Sequence, residues 1–232
     1  VTRYYTIDFS RVSLREYRRF LPNLFQFVVV AVLRVFGVSI TNNALIPLID
    51  RLHELSWHDL PEEARTALAG PVAGWERLGF RRVCVTRLPQ PQKERFLAAV
   101  LLLSPDGTAH VHAMYLRRPG FVATCTPVYS LFGDGTVGMT TDLRHELDDP
   151  PTVFRSQQPA GTEPAEMWER HRANLGGPWA EAWAAVERLD AEGVRVVAVE
   201  MERREVEFHV ARGVLVPVTD EEFDRFADPD AD

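Results

Sequence analysis

The stretch Phe96-Leu97-Ala98-Ala99-Val100-Leu101-Leu102-Leu103-Ser104, Pro105-Asp106-Gly107, Thr108-Ala109-His110-Val111-His112-Ala113-Met114-Tyr115-Leu116 reads as a β-hairpin that is apolar on both faces. Pro105 presets φ for a type I turn, and Gly107 supplies the positive φ of a three-residue hairpin loop. Upstream, Phe80–Leu88 is a further strand, separated from the hairpin by Pro89-Gln90-Pro91-Gln92-Lys93, whose prolines cannot donate to a ladder. Downstream, Arg117-Arg118-Pro119-Gly120 turns the chain into Phe121–Phe132, and Gly133-Asp134-Gly135 turns it into Thr136–Leu143. The fold class expected is α+β, an antiparallel meander of about five strands covered by N-terminal helices and a C-terminal helical hairpin.

Loop length fixes which side chains share a face. A three-residue loop at Pro105-Asp106-Gly107 groups Val100, Leu102, His110, His112, Met114, Cys125, Tyr129, Leu131 and Met139, with Cys125 opposite His112. Leu101, Leu103, Val111 and Tyr115 then fall on the other side, with Thr124, Thr126, Thr136 and Thr140.

Residues 1–58 read as a separate unit. Ser13-Leu14-Arg15-Glu16 has capping-box spacing and opens a short basic helix. The run Leu24 to Ile40 is the most apolar of the chain and follows Arg11, Arg15, Arg18 and Arg19. A membrane-crossing helix needs about 20 apolar residues, and Arg34 would cost about 2.5 to 3.5 kcal/mol at a bilayer centre. The run is therefore read as a buried element, with membrane association as the alternative. Leu45, Leu48, Ile49, Leu52 and Leu55 suggest a helix over Thr41–Leu55 in spite of Pro47.

The α+β domain is expected over 59–227, ahead of an acidic tail at 228–232. It opens with a helix capped by Asp59, striped by Ala64, Leu68 and Val72, broken at Gly70-Pro71 and ending near Leu78. After the meander comes an extended piece, Thr152–Ser156. An αα-hairpin follows, its first helix striped by Met167, Trp168, His171 and Leu175 and its second by Trp179, Trp183, Val186 and Leu189. Val194–Val199 suggests a strand, Glu200–Arg212 a helix stopped by Gly213, and Thr219-Asp220-Glu221-Glu222 a last capping box.

A net charge of -7 argues against a nucleic-acid surface, which needs a basic patch. Cys84 and Cys125, the two cysteines, lie in apolar strands and read as buried reduced thiols, which suits the cytoplasm. Lys93 is the single lysine against 25 arginines, a bias expected of a GC-rich bacterial genome. Val1 in place of Met is expected of an alternative start codon or of a fragment.

The sharpest chemical pattern is His110-Val111-His112, which puts two imidazoles on one strand face about 7 Å apart. With Cys125, and with His171 if its helix crosses the same face, they form the candidate ligand-binding set, and buried imidazoles should titrate below their ordinary value. His110, His112 and Cys125 are the set that a metal would use; no other cofactor is expected. Gly133-Asp134-Gly135 and Pro105-Asp106-Gly107 lack the regular oxygen ligands of a cation loop. No nucleophile elbow, P-loop, dinucleotide fingerprint or H-E-x-x-H motif is present. Leu78-Gly79-Phe80 resembles a local pattern of acyl-CoA-transferring N-acetyltransferases; there it lies near the C-terminus, whereas about 150 residues follow it here, so it reads as a helix stop. The functional expectation is a non-catalytic module binding a small ligand or a protein. The alternative is a metal-assisted hydrolase that uses His110 and His112.

Overall fold

A computed structural model describes residues 3–20, 28–29, 32, 44–144, 146–180 and 185–227. The strands are β1 (Arg3–Ile7), β2 (Ile46–Leu48), β3 (His53–Leu55), β4 (Arg81–Arg87), β5 (Phe96–Leu103), β6 (His110–Arg118), β7 (Phe121–Cys125), β8 (Val128–Leu131), β9 (Val137–Thr141), β10 (Val153–Gln157) and β11 (Leu215–Pro217). The helices are α1 (Leu14–Phe20), α2 (Glu62–Arg77), α3 (Pro164–Leu175), α4 (Ala191–Ala211) and α5 (Asp220–Phe226).

The architecture is α+β. An eight-stranded sheet runs β10-β9-β8-β6-β5-β4-β3, with β7 also pairing β6, and a three-stranded sheet runs β11-β1-β2. Every pairing is antiparallel except β9 with β10, so the expected meander forms its centre. The run Phe121–Phe132 is divided, because Thr126-Pro127 ends β7 and lets β8 pair farther along β6.

The central hairpin β5–β6 is buried on both sides. On one, Ala98, Val100, Leu102, Val111, Ala113 and Tyr115 pack with Leu68, Val72 and Trp75 of α2 and Met167 of α3. On the other, Ala99, Leu101 and Leu103 pack with Val194 and Ala198 of α4. Helix α4 continues to the small sheet, where Val206 joins Tyr5, Ile7, Val214 and Leu215.

The register differs from the expected one by one residue. Leu103 pairs His110 and Leu101 pairs His112, and Ser104 N–H donates to the Ala109 carbonyl at 2.9 Å, so four residues form the loop. Thr108 belongs to the turn because the Asp106 carboxylate accepts from its N–H and hydroxyl. Leu101 and Leu103, not Val100 and Leu102, therefore share the histidine face.

Several local expectations are corrected. Thr41–Leu55 is not a helix over its described part: β2 and β3 are edge strands, where Pro47 sits without leaving a ladder bond unmade. Helix α2 runs unbroken through Pro71, an interior proline that costs about 3 kcal/mol, because the buried stripe Ala64, Leu68, Val72 and Trp75 holds it on the sheet. Asp59 closes a preceding short 3₁₀ turn instead of capping α2.

The second helix of the αα-hairpin is absent over residues 185–190, whose backbone is used by the turns beside it. Gly133 N–H donates to the Ala185 carbonyl, Glu187 N–H to that of Leu131, and Leu189 N–H to that of Gly107. Trp179 is nevertheless buried, over Gly138, where an added Cβ would lie 2.6 Å from its ring; Trp183 is outside the described residues. Val194–Val199 is the first part of α4, whose cap Asp190 accepts from Gly193 N–H at 2.8 Å. The capping boxes at Ser13 and Thr219 form as expected.

Leu24 to Ile40 lies outside the described residues apart from Val28, Val29 and Val32, which are helical and exposed. Among the described residues no helix is long and apolar enough to cross a membrane.

The turn at 104–109 gives a direct test. Gly107 has φ +75° and an added Cβ would meet the Leu189 carbonyl oxygen at 2.7 Å, whereas Gly120 has φ +70° and open space around it. Gly120→Ala should cost about 1 to 2 kcal/mol. Gly107→Ala should cost roughly 2 to 5, since overpacking is added. Urea denaturation of the two variants checks the order; equal losses would mean that the turn does not bear on Leu189.

Candidate functional site

The register brings His110, His112, Met114, Tyr129 and Met139 to the face of the sheet covered by α4. The His110 ring stacks on Tyr129 at 5.3 Å between centroids, and His112 lies 4.8 Å from the same ring. Beyond them the sheet and α4 separate into a cleft of about 220 Å³. His112, Met114, Tyr129 and Met139 form its floor, and Ala198, Met201, Glu202 and Glu205 of α4 form its roof. Arg155 closes one end, held by Asp149 through bonds of 2.7 and 2.5 Å.

Both ring nitrogens of His110, and Nε2 of His112, are buried without a hydrogen-bond partner among the described residues. A buried polar group left unpaired costs about 1 to 3 kcal/mol, so three in one cluster are an expensive feature for packing alone. Burial lowers the His112 pKa to about 4. Burial, followed by the proximity of His112 and of His171, holds His110 well below 6.5. Burial likewise pushes Tyr129 well above 10, and the carboxylates of Glu202 and Glu205 act in the same direction. At neutral pH the floor is thus uncharged, as is His110 beside it, and each neutral imidazole has one N–H and one lone pair.

The structure separates the other two candidates from this pair. Cys125 shares the face but stands opposite Met114, not His112, because His112 N–H donates instead to the Pro127 carbonyl. Its thiol lines a second cavity beyond the strand end, and burial raises its pKa. His171 projects from α3 onto the opposite face of the sheet. There Ser130 Oγ donates to the Thr108 carbonyl at 2.7 Å, so it accepts from His171 Nε2–H at 2.9 Å. His171 Nδ1 then accepts from the Thr140 hydroxyl at 3.0 Å. A histidine with both nitrogens satisfied, whose pKa burial brings down to about 3, serves the packing of α3.

Among the described residues no three His, Cys, Asp or Glu side chains are grouped as metal ligands. Met201, Glu202 and Glu205 had no sequence signal of their own, since the stretch before them read as a strand. Arg155 has no sequence signal either, because its place follows from the parallel pairing of β10 with β9. Comparison with protein-family models, with curated proteins and with solved structures found no match.

The depressed histidines set a pH dependence. Between the ordinary 6.5 and the folded value of about 4 for His112 or about 3 for His171, the unfolded chain binds more protons than the folded one. Stability therefore falls as pH drops through that window. Urea midpoints should decline from about pH 6.5 downward, and less steeply in His112→Asn. A midpoint independent of pH between 7 and 4, or a slope unchanged in the variant, would mean that His112 is charged or solvated in the folded protein.

Proposed function

We propose that the protein is a non-catalytic module that binds a small, largely apolar ligand carrying a hydroxyl or similar donor–acceptor group in the cleft between α4 and the histidine face. The observation that carries the reading is the pair of neutral imidazoles with ring nitrogens unpartnered among the described residues, at and beside a lined cleft. A ligand hydroxyl supplies both a donor and an acceptor to His112, whose Nε2 has no partner among the described residues, and Met114, Met139 and Met201 provide a soft, adaptable surface around its apolar body. A binding role fits better than hydrolysis, because among the described residues neither His110 nor His112 has the carboxylate that orients a general base. The two free thiols, Cys84 and Cys125, suit a reducing compartment such as the cytoplasm.

The four methionines allow a clean test. Met114, Met139 and Met201 line the cleft, while Met167 is fully buried on the opposite face. Phenol, titrated into protein labelled at the methionine methyls, should shift the first three resonances and leave Met167 in place. The shifts should weaken in His112→Leu. No response, or a uniform response of all four, would refute the reading.

A further inference from the structure

A second cavity, of about 670 Å³, opens at the end of the sheet where β6 pairs with β7, and it shares Leu97, Leu116 and Leu143 with the α4 cleft. Its floor is apolar, through Phe96, Leu97, Leu116 and Phe121. Its rim carries five arginines, Arg19, Arg95, Arg117, Arg118 and Arg144, against two carboxylates, Asp142 and Glu146. Three of the arginines are neutralised: Arg19 by Asp148, Arg117 by Glu63 and Arg118 by Glu146. Asp142 is turned inward, where it accepts from Thr126 N–H at 2.9 Å.

Two cations remain. Arg144 donates to the Arg19 carbonyl and has no carboxylate partner among the described residues. The half-buried Arg95 guanidinium has no hydrogen-bond or ion-pair partner among them. Burial, and then the repulsion of nearby Arg118, lower its pKa. A partly desolvated guanidinium without a counter-charge, beside the like charge of Arg118, is a costly arrangement that an anion in the cavity lined by Arg95 and Arg144 relieves. The planar fork of Arg matches a carboxylate in particular.

From the uncompensated Arg95 and Arg144 above an apolar floor, we infer that this cavity takes the carboxylate end of an amphipathic monoanion of the fatty-acid type. The shared Leu97, Leu116 and Leu143 direct the apolar tail toward the α4 cleft. The inference rests on the ligand-binding reading for the identity of the tail site only. The head site stands on its own geometry.

Calorimetric titration of the full chain with octanoate, 1-octanol and acetate at low ionic strength tests it. Octanoate should bind at least tenfold more tightly than either of the others, which lack the charge or the tail. Arg95→Gln should weaken octanoate about tenfold and leave octanol unchanged. The fold should tolerate this change, since no bond of Arg95's guanidinium to a described residue is removed, and Arg144→Gln should weaken octanoate in the same direction. Equal affinity for octanoate and octanol, or octanoate binding unaltered in both variants, would overturn the head site. If phenol shifts the cleft methionines while neither Arg95→Gln nor Arg144→Gln has an effect on octanoate, the anion inference fails and the cleft reading stands. The reverse pattern, Arg95-dependent octanoate with silent methionines, retains the head site and removes the cleft.

Discussion

One carboxylate sets the arrangement of both faces of the large sheet. Asp106 accepts from the Ser104 hydroxyl at 2.7 Å and from the N–H and hydroxyl of Thr108 at 3.2 and 2.9 Å. Ser104 Oγ in turn accepts from Ala109 N–H at 3.0 Å. This closed turn makes the loop four residues long. Every side chain of β6 inherits its face from that length, since a one-residue change would exchange the histidines with Val111 and Ala113. The same turn positions α4, because the Gly107 carbonyl accepts from Leu189 N–H, and Asp190 caps the helix at the next residue. The cleft thus has its floor and its roof fixed from one point.

A second buried carboxylate ties the periphery together. Glu16 of α1 is fully buried and accepts from Arg212 at 2.6 Å, from Asp148 N–H and from Ser13 N–H. Burial alone would raise its pKa, but these bonds outweigh that cost and bring it down to about 2. One charge therefore joins the first helix, the loop after β9 and the end of α4, with its acceptor sites filled in the way that makes a buried ion tolerable.

The central strands were legible because turn residues punctuate them and their β-branched and aliphatic content is dense. The caps at Ser13 and Thr219 were legible because they are local hydrogen-bond patterns. Failures occurred where partners distant in sequence decide the outcome. Pro47 signals an edge strand only once β1 is known to lie beside it. Residues 185–190 have helical spacing, yet their backbone bonds go to turns more than 50 residues away. The histidine pair was visible as a motif, and its face was not, because Thr108 gives no sign in sequence that it belongs to the turn. His171 carried an apolar helical stripe like a site residue, but its hydroxyl partners Ser130 and Thr140 come from two other strands.

The chemistry depends on two imidazoles that stay neutral, His112 on the floor of the cleft and His110 buried beside it, with ring nitrogens that lack a partner among the described residues. Long-range proton–nitrogen NMR of the histidine side chains at pH 6, recorded with and without phenol, reads this directly. His110 and His112 should show the nitrogen shifts of neutral rings, and added phenol should move those of His112 while leaving His171 unchanged. Imidazolium shifts for the pair, or a His112 signal indifferent to phenol, would contradict a ligand-binding floor.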